Sequence, residues 1–298
     1  MKAMILAAGL GTRLQPLTDK KPKALMPVVN QPIISRVIDY LKTHGVRQIV
    51  VNAHHHYQQL VDYLEGGTFG VQVEVRVEPK ILGTGGGIKN TSDFWNDEPF
   101  IVINSDILTN IDLGKAYTHH KKANCLVTLI LHDYEPFNQV QINADNHITE
   151  FFGESGPNRL AFTGIHIMNP KLFTYFPDDT FFDIIPIYKQ WIQSGKKIGA
   201  FLSQGHDWHD IGSVKGYIDA NRSLLDKKFS IGPGSRIGPT VKMKEWAVVG
   251  ERNTLEKDAE IKRSILWEEV TVKKGVKVID SIVTSSREVS EELIGEIY

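Results

Sequence analysis

Met4-Ile5-Leu6-Ala7-Ala8-Gly9-Leu10-Gly11-Thr12-Arg13-Leu14 opens the chain and decides how the rest is read. Residues 3–7 predict a short buried strand, which runs directly into small residues and glycine. Small side chains let a backbone approach a ligand closely, and glycine reaches backbone angles that other residues resist. Successive N–H groups in such a loop can cradle phosphate oxygens. Two familiar phosphate loops do not fit. The dinucleotide fingerprint wants a small residue where Leu14 stands, and the ATPase loop wants Gly-Lys-Ser/Thr. What remains is glycine followed by Arg13 and then by Lys23, in Pro22-Lys23-Ala24-Leu25-Met26-Pro27. Two cations around one loop suit a triphosphate, whose charge must be held through a reaction.

Outward from this loop, strand and helix patterns alternate. Ile34, Val37, Ile38 and Leu41 recur at helical spacing until Gly45 stops them. Residues 47–52 predict a strand, and Leu60, Val61 and Leu64 a helix closed by Gly66-Gly67. Val71, Val73, Val75 and Val77 alternate strictly, as in a strand with one exposed face. Phe100-Ile101-Val102-Ile103 is apolar throughout, as in a strand covered on both faces. Strands separated by helices predict an α/β fold: a Rossmann-like mixed, mostly parallel sheet with helices on both faces. Four strand patterns then follow with few helices between them (125–131, 138–142, 147–151 and 161–168), an expected antiparallel addition to the sheet. A helix carries Ile184, Ile187, Tyr188, Trp191 and Ile192, and another is expected to start after Ser213 as its N-cap.

Asp226-Lys227-Lys228 is a polar break, and beyond it the apolar period becomes six. Ile231-Gly232-Pro233 is echoed by Ile237-Gly238-Pro239; Val270, Val276 and Ile282 are six apart, as are Val272 and Val278. No helix or hairpin has that period, whereas a β-solenoid that turns a corner about every six residues does. The expected domains are therefore 1–225 and a solenoid over 226–298, with room for about three coils over 229–285.

Composition narrows the function classes. Lysine plus arginine number 34 and aspartate plus glutamate 35 over 298 residues, a net charge of −1. Nothing global points to nucleic acid or an acidic membrane surface. Cys125 is the single cysteine and lies in an apolar run, so it reads as a buried, inert thiol. No run approaches the ~18 apolar residues of a membrane helix. The first apolar run is too short for a signal peptide, and a cytoplasmic protein is expected.

Several motifs at fitting spacing now converge. Leu6-Ala7-Ala8-Gly9-Leu10-Gly11-Thr12-Arg13-Leu14, Pro16-Leu17-Thr18 and Pro22-Lys23-Ala24-Leu25-Met26-Pro27-Val28 are followed by Leu82-Gly83-Thr84-Gly85-Gly86-Gly87. Then come Val102-Ile103-Asn104-Ser105-Asp106, Phe162-Thr163-Gly164 and Trp208-His209-Asp210-Ile211-Gly212. Together they resemble the sugar-1-phosphate nucleotidyltransferases (NDP-sugar pyrophosphorylases) over nearly all of residues 1–222. The six-residue repeat is similar to the left-handed β-helix of many mannose-1-phosphate guanylyltransferases. Thr84-Gly85-Gly86-Gly87-Ile88 also resembles the uridylyltransferase of N-acetylmuramic acid 1-phosphate, which lacks the solenoid.

The resemblance implies catalytic roles for Arg13 and Lys23, with nucleotide contacts from Leu6, Ala7, Ala8, Gly9, Gly11, Thr12, Arg13, Gly85 and Gly86. It implies Mg2+ as cofactor on Asp106 and Asp210. Asp106 independently draws notice, because a carboxylate at the end of an apolar strand is costly unless it holds a cation or has partners. The sugar site would fall near Asn138, Glu150, Thr163 and Gly164. Two departures stand there. Glu150-Phe151-Phe152-Gly153 lacks the lysine that many members carry near the sugar phosphate, and Asn138-Gln139 replaces a common glycine. GTP with a mannose- or heptose-type sugar phosphate is favoured over UTP or a thymidine triphosphate. From another class, a non-catalytic sugar-nucleotide sensor remains, disfavoured by the presence of Arg13, Lys23, Asp106 and Asp210 together. A nicotinamide dehydrogenase is disfavoured by Leu14. Lys20 and Lys21 are expected to be a solvated surface pair. His54-His55-His56 is not expected to bind zinc, since three adjacent side chains cannot converge on one ion. The open strand edges of a solenoid predict a homo-oligomer.

Overall fold

The computed structural model describes residues 1–123, 125–135, 137–152 and 159–298; Gly153, in the stretch without the family's lysine, lies outside them. The chain divides into two compact units: residues 1–10 with 34–208, and residues 11–33 with 209–298. The division departs from the expected boundary at 225, because the loop 11–33 and the helix after Ser213 group with the C-terminal repeat.

The first unit is a nine-stranded mixed sheet with helices. Strand β1 (Lys2–Leu6) is followed by α1 (Ile33–Thr43), β2 (Gln48–Ala53), α2 (Tyr57–Gly66), β3 (Gln72–Val77), α3 (Gly83–Lys89) and β4 (Phe100–Asn104). The strands β3-β2-β1-β4 are all parallel. Met4, Val50, Phe100 and Val102 point into one core with Ile88 and Tyr188. The alternate positions Ile5, Ile49, Val51, Ile101 and Ile103 are fully buried as well. With a period of two, both faces of this sheet are therefore covered. Helix α1 buries Ile34, Val37, Ile38 and Leu41 completely, each worth ~1.5–3 kcal/mol relative to exposure.

The chain then reverses direction. After α4 (Leu113–Ala123) come β5 (Val127–His132), β6 (Val140–Ile142), β7 (Ile148–Phe151) and the long β8 (Arg159–Met168). Strand β8 lies antiparallel to β4, β5 and β6, the antiparallel addition that the patterns predict. Helix α5 (Ile184–Gln193) and β9 (Gly199–Leu202), parallel to β5, complete the unit.

In the second unit, α6 (Val214–Ser223) starts on Ser213, whose hydroxyl accepts from the Gly216 amide at 3.1 Å. Beyond residue 228 every paired strand is short and parallel. Three ladders form: 229–231, 247–249, 264–266 and 282–283; then 236–237, 254–255, 271–272 and 288–289; then 242–244, 260–262, 277–279 and 293–294. Phe229 stands opposite Ala247 and Ile265 opposite Ile282, steps of 18 and 17 residues, or three six-residue segments per step. Ala247, Val249, Leu266, Val272, Val278 and Val283 share one interior. Corner residues take left-handed angles, among them Glu245 (φ 60), Arg263 (φ 47) and Asp280 (φ 51). These three stack, and Arg263 pairs with both acids.

Candidate active site

The parallel sheet places the opening loop where a ligand belongs. The chain runs β1, β2, β3 outward on one side, then crosses to the other side of β1 to form β4. Open α/β sheets bind ligands outside the carboxyl ends of strands at such a switch point. Leu6 pairs with Asn104 there, and the Ser105 amide donates to the Leu6 carbonyl at 3.0 Å. The loop after β1 and Asp106 after β4 thus share one edge. Asp106 is half-buried, with Oδ1 shielded from solvent.

Asn52 and Glu78, which carry no signal in the sequence, hold this edge together. The Ala7 amide donates to Asn52 Oδ1 at 2.8 Å, and Asn52 Nδ2 donates to Glu78 Oε1 at 2.7 Å. Glu78 Oε2 accepts from the Leu82 amide at 3.1 Å. Burial pushes the Glu78 carboxyl up, while the bonds from Asn52 and Leu82 pull the other way. Gly87 leaves the room this network needs, since a Cβ there would stand 2.8 Å from Asn52 Nδ2.

The glycine motif at 83–87 is a helix start, and the structure directs its amides inward. Gly85 and Gly86 both donate to the Phe182 carbonyl, at 2.9 and 3.0 Å. Thr84 Oγ1 accepts from the Ile184 amide at 3.0 Å, so α3 and α5 cap each other. A Cβ on Gly85 or Gly86 would collide with Phe182 or the Thr180 carbonyl. Close packing is thus the physical demand met by these two glycines.

The expected sugar residues fall in two places. Thr163 Oγ1 donates to the Ile130 carbonyl at 2.8 Å, and its own carbonyl accepts from Trp208 Nε1 at 3.0 Å. Gly164 (φ 80) sits at a bulge in β8, its Cβ position 3.0 Å from Asn104 Nδ2. Asn138 is buried and organises its own loop, accepting from the Tyr134 amide at 2.9 Å and donating to Asp133 at 2.6 Å. The Tyr134 ring lies 5.1 Å from Trp208, linking the Asn138 loop to Thr163. Glu150 is exposed on β7 and pairs with Arg159 instead.

In the second unit, Gly11 (φ 70) turns the loop, and its carbonyl accepts from Leu14 N and Thr18 Oγ1, both at 2.9 Å. Arg13 and Asp210 meet beside Gly212. A Cβ on Gly212 would stand 2.7 Å from Asp210 Oδ1 and 2.9 Å from Arg13 Nη2. Lys23 is half-buried at the start of a short 3-10 turn over 23–25. Lys21 departs from the solvated pair expected: its ammonium lies 2.6 Å from Glu268 and 5.1 Å from the centre of the Trp267 indole. His54 Nδ1 bonds the Glu78 carbonyl at 2.7 Å. Among the described residues no three histidine, cysteine or acidic side chains gather as a metal cluster, and none of the helices is long and apolar enough to cross a membrane. The Cys125 thiol is buried, and burial pushes its pKa up.

The profile of the Nucleotidyl transferase family matches residues 2–227. The chain belongs to that family. This nucleotidyl transferase is 32% identical to the N-acetylmuramate alpha-1-phosphate uridylyltransferase of Neisseria meningitidis, with 72% of this chain and 94% of that protein covered. It is 28% identical to a probable mannose-1-phosphate guanylyltransferase of Oryza sativa, with 93% of this chain and 82% of that one covered. Its fold is like that of HddC from Yersinia pseudotuberculosis, with a TM-score of 0.64 at 23% identity over 75% of this chain and 99% of that one.

Proposed function

We propose that this nucleotidyl transferase joins a nucleoside triphosphate to a sugar 1-phosphate, with GTP and a mannose- or heptose-type sugar as the pair. The observation that carries the transfer reaction is the glycine loop and Asp106 at one switch point, in a chain matched by the family over residues 2–227. GTP is put first because the match to the rice relative, a probable guanylyltransferase, extends over 93% of this chain, the coils included. In keeping with the resemblance, the three ladders of residues 226–298 are read as a left-handed β-helix.

A sugar phosphate oxygen attacks the α-phosphorus, the new P–O bond forms, and the bond to the bridging oxygen breaks as pyrophosphate leaves. The attacking group is already an anion, so no general base is required. Arg13 would grip the β- and γ-phosphates, and Lys23 the α-phosphate and the incoming sugar phosphate. Backbone groups from Leu6 to Thr12 would lie along the nucleotide, and Thr163 and Gly164 near the sugar. Asp106 and Asp210 each offer oxygen donors of the kind a magnesium ion prefers. When bound, the ion would neutralise charge on the phosphates.

Pyrophosphate release measured over four triphosphates and several sugar 1-phosphates tests the reading. The fastest pair should be GTP with mannose or heptose 1-phosphate; UTP at the head of the panel would reassign the base. No release with any pair would turn the reading to a sugar-nucleotide sensor. Lys23→Ala and Asp106→Asn should each lower turnover about a hundredfold or more, the scale of losing one transition-state charge partner. The exposed Ile231 and Ile294 on short parallel strands favour a homo-oligomer, and a monomer by light scattering would count against one.

A further inference from the structure

The loop that carries Arg13 and Lys23 forms one compact unit with the C-terminal coils, and its anchors bracket Lys23. Two residues before Lys23, the Lys21 ammonium pairs with Glu268 at 2.6 Å over the face of Trp267. Four residues after it, the Pro27 carbonyl accepts from the Tyr217 hydroxyl at 2.6 Å. That hydroxyl in turn accepts from Trp267 Nε1 at 2.9 Å. One buried indole on the coil therefore reaches both flanks of the turn, by its face and by its N–H. Further along, the Val29 amide donates to Asn221 Oδ1 at 2.9 Å, and Asn30 Nδ2 donates to the Val249 carbonyl at 2.9 Å. Tyr217 is fully buried and Trp267 is 3% exposed.

A lysine on a four-carbon stem acts only where its backbone puts it. We propose that Trp267, Tyr217, Lys21 and Glu268 are positioning residues for Lys23: the C-terminal coil fixes the turn from both flanks and so takes part in the transfer without touching substrate. The proposal rests on the reading of Lys23 as the cation that meets the reacting phosphates.

The test uses the full chain. Tyr217→Phe keeps the ring and removes the bridging hydroxyl; Lys21→Met and Glu268→Gln each break the ion pair; Lys21→Arg keeps the charge. Each disruptive variant should lose about tenfold in kcat with KM for the triphosphate within about twofold of the parent, the pattern of a misplaced catalytic group. Lys21→Arg should recover most of the rate. Amide exchange in residues 22–29 should quicken in Tyr217→Phe while that in residues 271–289 stays as in the parent. Parental kcat in both Tyr217→Phe and Lys21→Met, or a change confined to KM, overturns the proposal. Lys23→Ala separates the two ideas. If it is inactive while the anchor variants run at the parental rate, only the positioning role falls; if it turns over normally, the underlying assignment falls.

Discussion

Arg13 and Asp210 lie 197 positions apart in the sequence, yet a single missing methyl group lets them share a corner. Gly212 contributes no chemistry; its use is the space it leaves beside Asp210 Oδ1 and Arg13 Nη2. Gly212→Ala should therefore lower turnover about tenfold or more while leaving the fold intact, because the added carbon displaces either the guanidinium or the carboxylate. Parental turnover in that variant, with an unchanged far-ultraviolet spectrum, would remove the argument. Gly87 makes the contrasting case. A Cβ there strikes Asn52 and Glu78 inside the core, so Gly87→Ala should cost ~1–3 kcal/mol, seen as a lower urea midpoint.

The coil strands separate packing from charge. Leu266 lies wholly inside the second unit, among Val249, Val283 and their neighbours. Leu266→Ala should destabilise by ~2–5 kcal/mol, through lost burial and the cavity left behind. Arg263, at a corner, pairs with Glu245 and Asp280 on the partly exposed surface, where screening and side-chain entropy consume most of the attraction. Arg263→Ala should leave the urea midpoint almost unchanged. A larger shift for Arg263→Ala than for Leu266→Ala would reverse this ranking. Non-glycine residues such as Glu245 and Arg263 occupy left-handed corners where glycine would have announced a turn.

Across the whole molecule, acid should act on the first unit. Burial pushes His166 down to about 3, and His120 and His132 down to about 4; all three stand in that unit. Once unfolded, these imidazoles take up protons at an ordinary pKa of ~6.5 that the folded state refuses. Stability is then full above ~6.5 and is lost as pH falls toward the folded values, by ~1.4 kcal/mol per pH unit for each such group. The urea midpoint of the first unit, followed by hydrogen exchange of β4 and β5, should fall between about pH 7.5 and about pH 5. An unchanged midpoint would contradict the burial of these side chains. A chain ending at residue 225 should lose transferase activity, since Lys21, Asn30 and Tyr217 would all lose partners on the coils.

Hydrophobic period and local chemistry made the alternating elements, the central strand at 100–103, the antiparallel addition, the Ser213 cap and the six-residue repeat legible in the sequence. Each depends on neighbours a few residues away, and a linear pattern records such neighbours directly. Asn52, Glu78, Gly212 and Trp267 left no comparable trace. Their importance comes from partners as much as 246 residues distant along the chain, and only folding brings those together. The grouping of residues 11–33 with the C-terminal coils was hidden for the same reason: a boundary drawn at a polar break assumes that chain order and spatial order agree. Tertiary structure decided that Lys21 is held rather than solvated, and that Gly85 and Gly86 turn their amides to Phe182. Packing and hydrogen-bond satisfaction are settled among side chains from separate segments, which no single stretch of sequence contains.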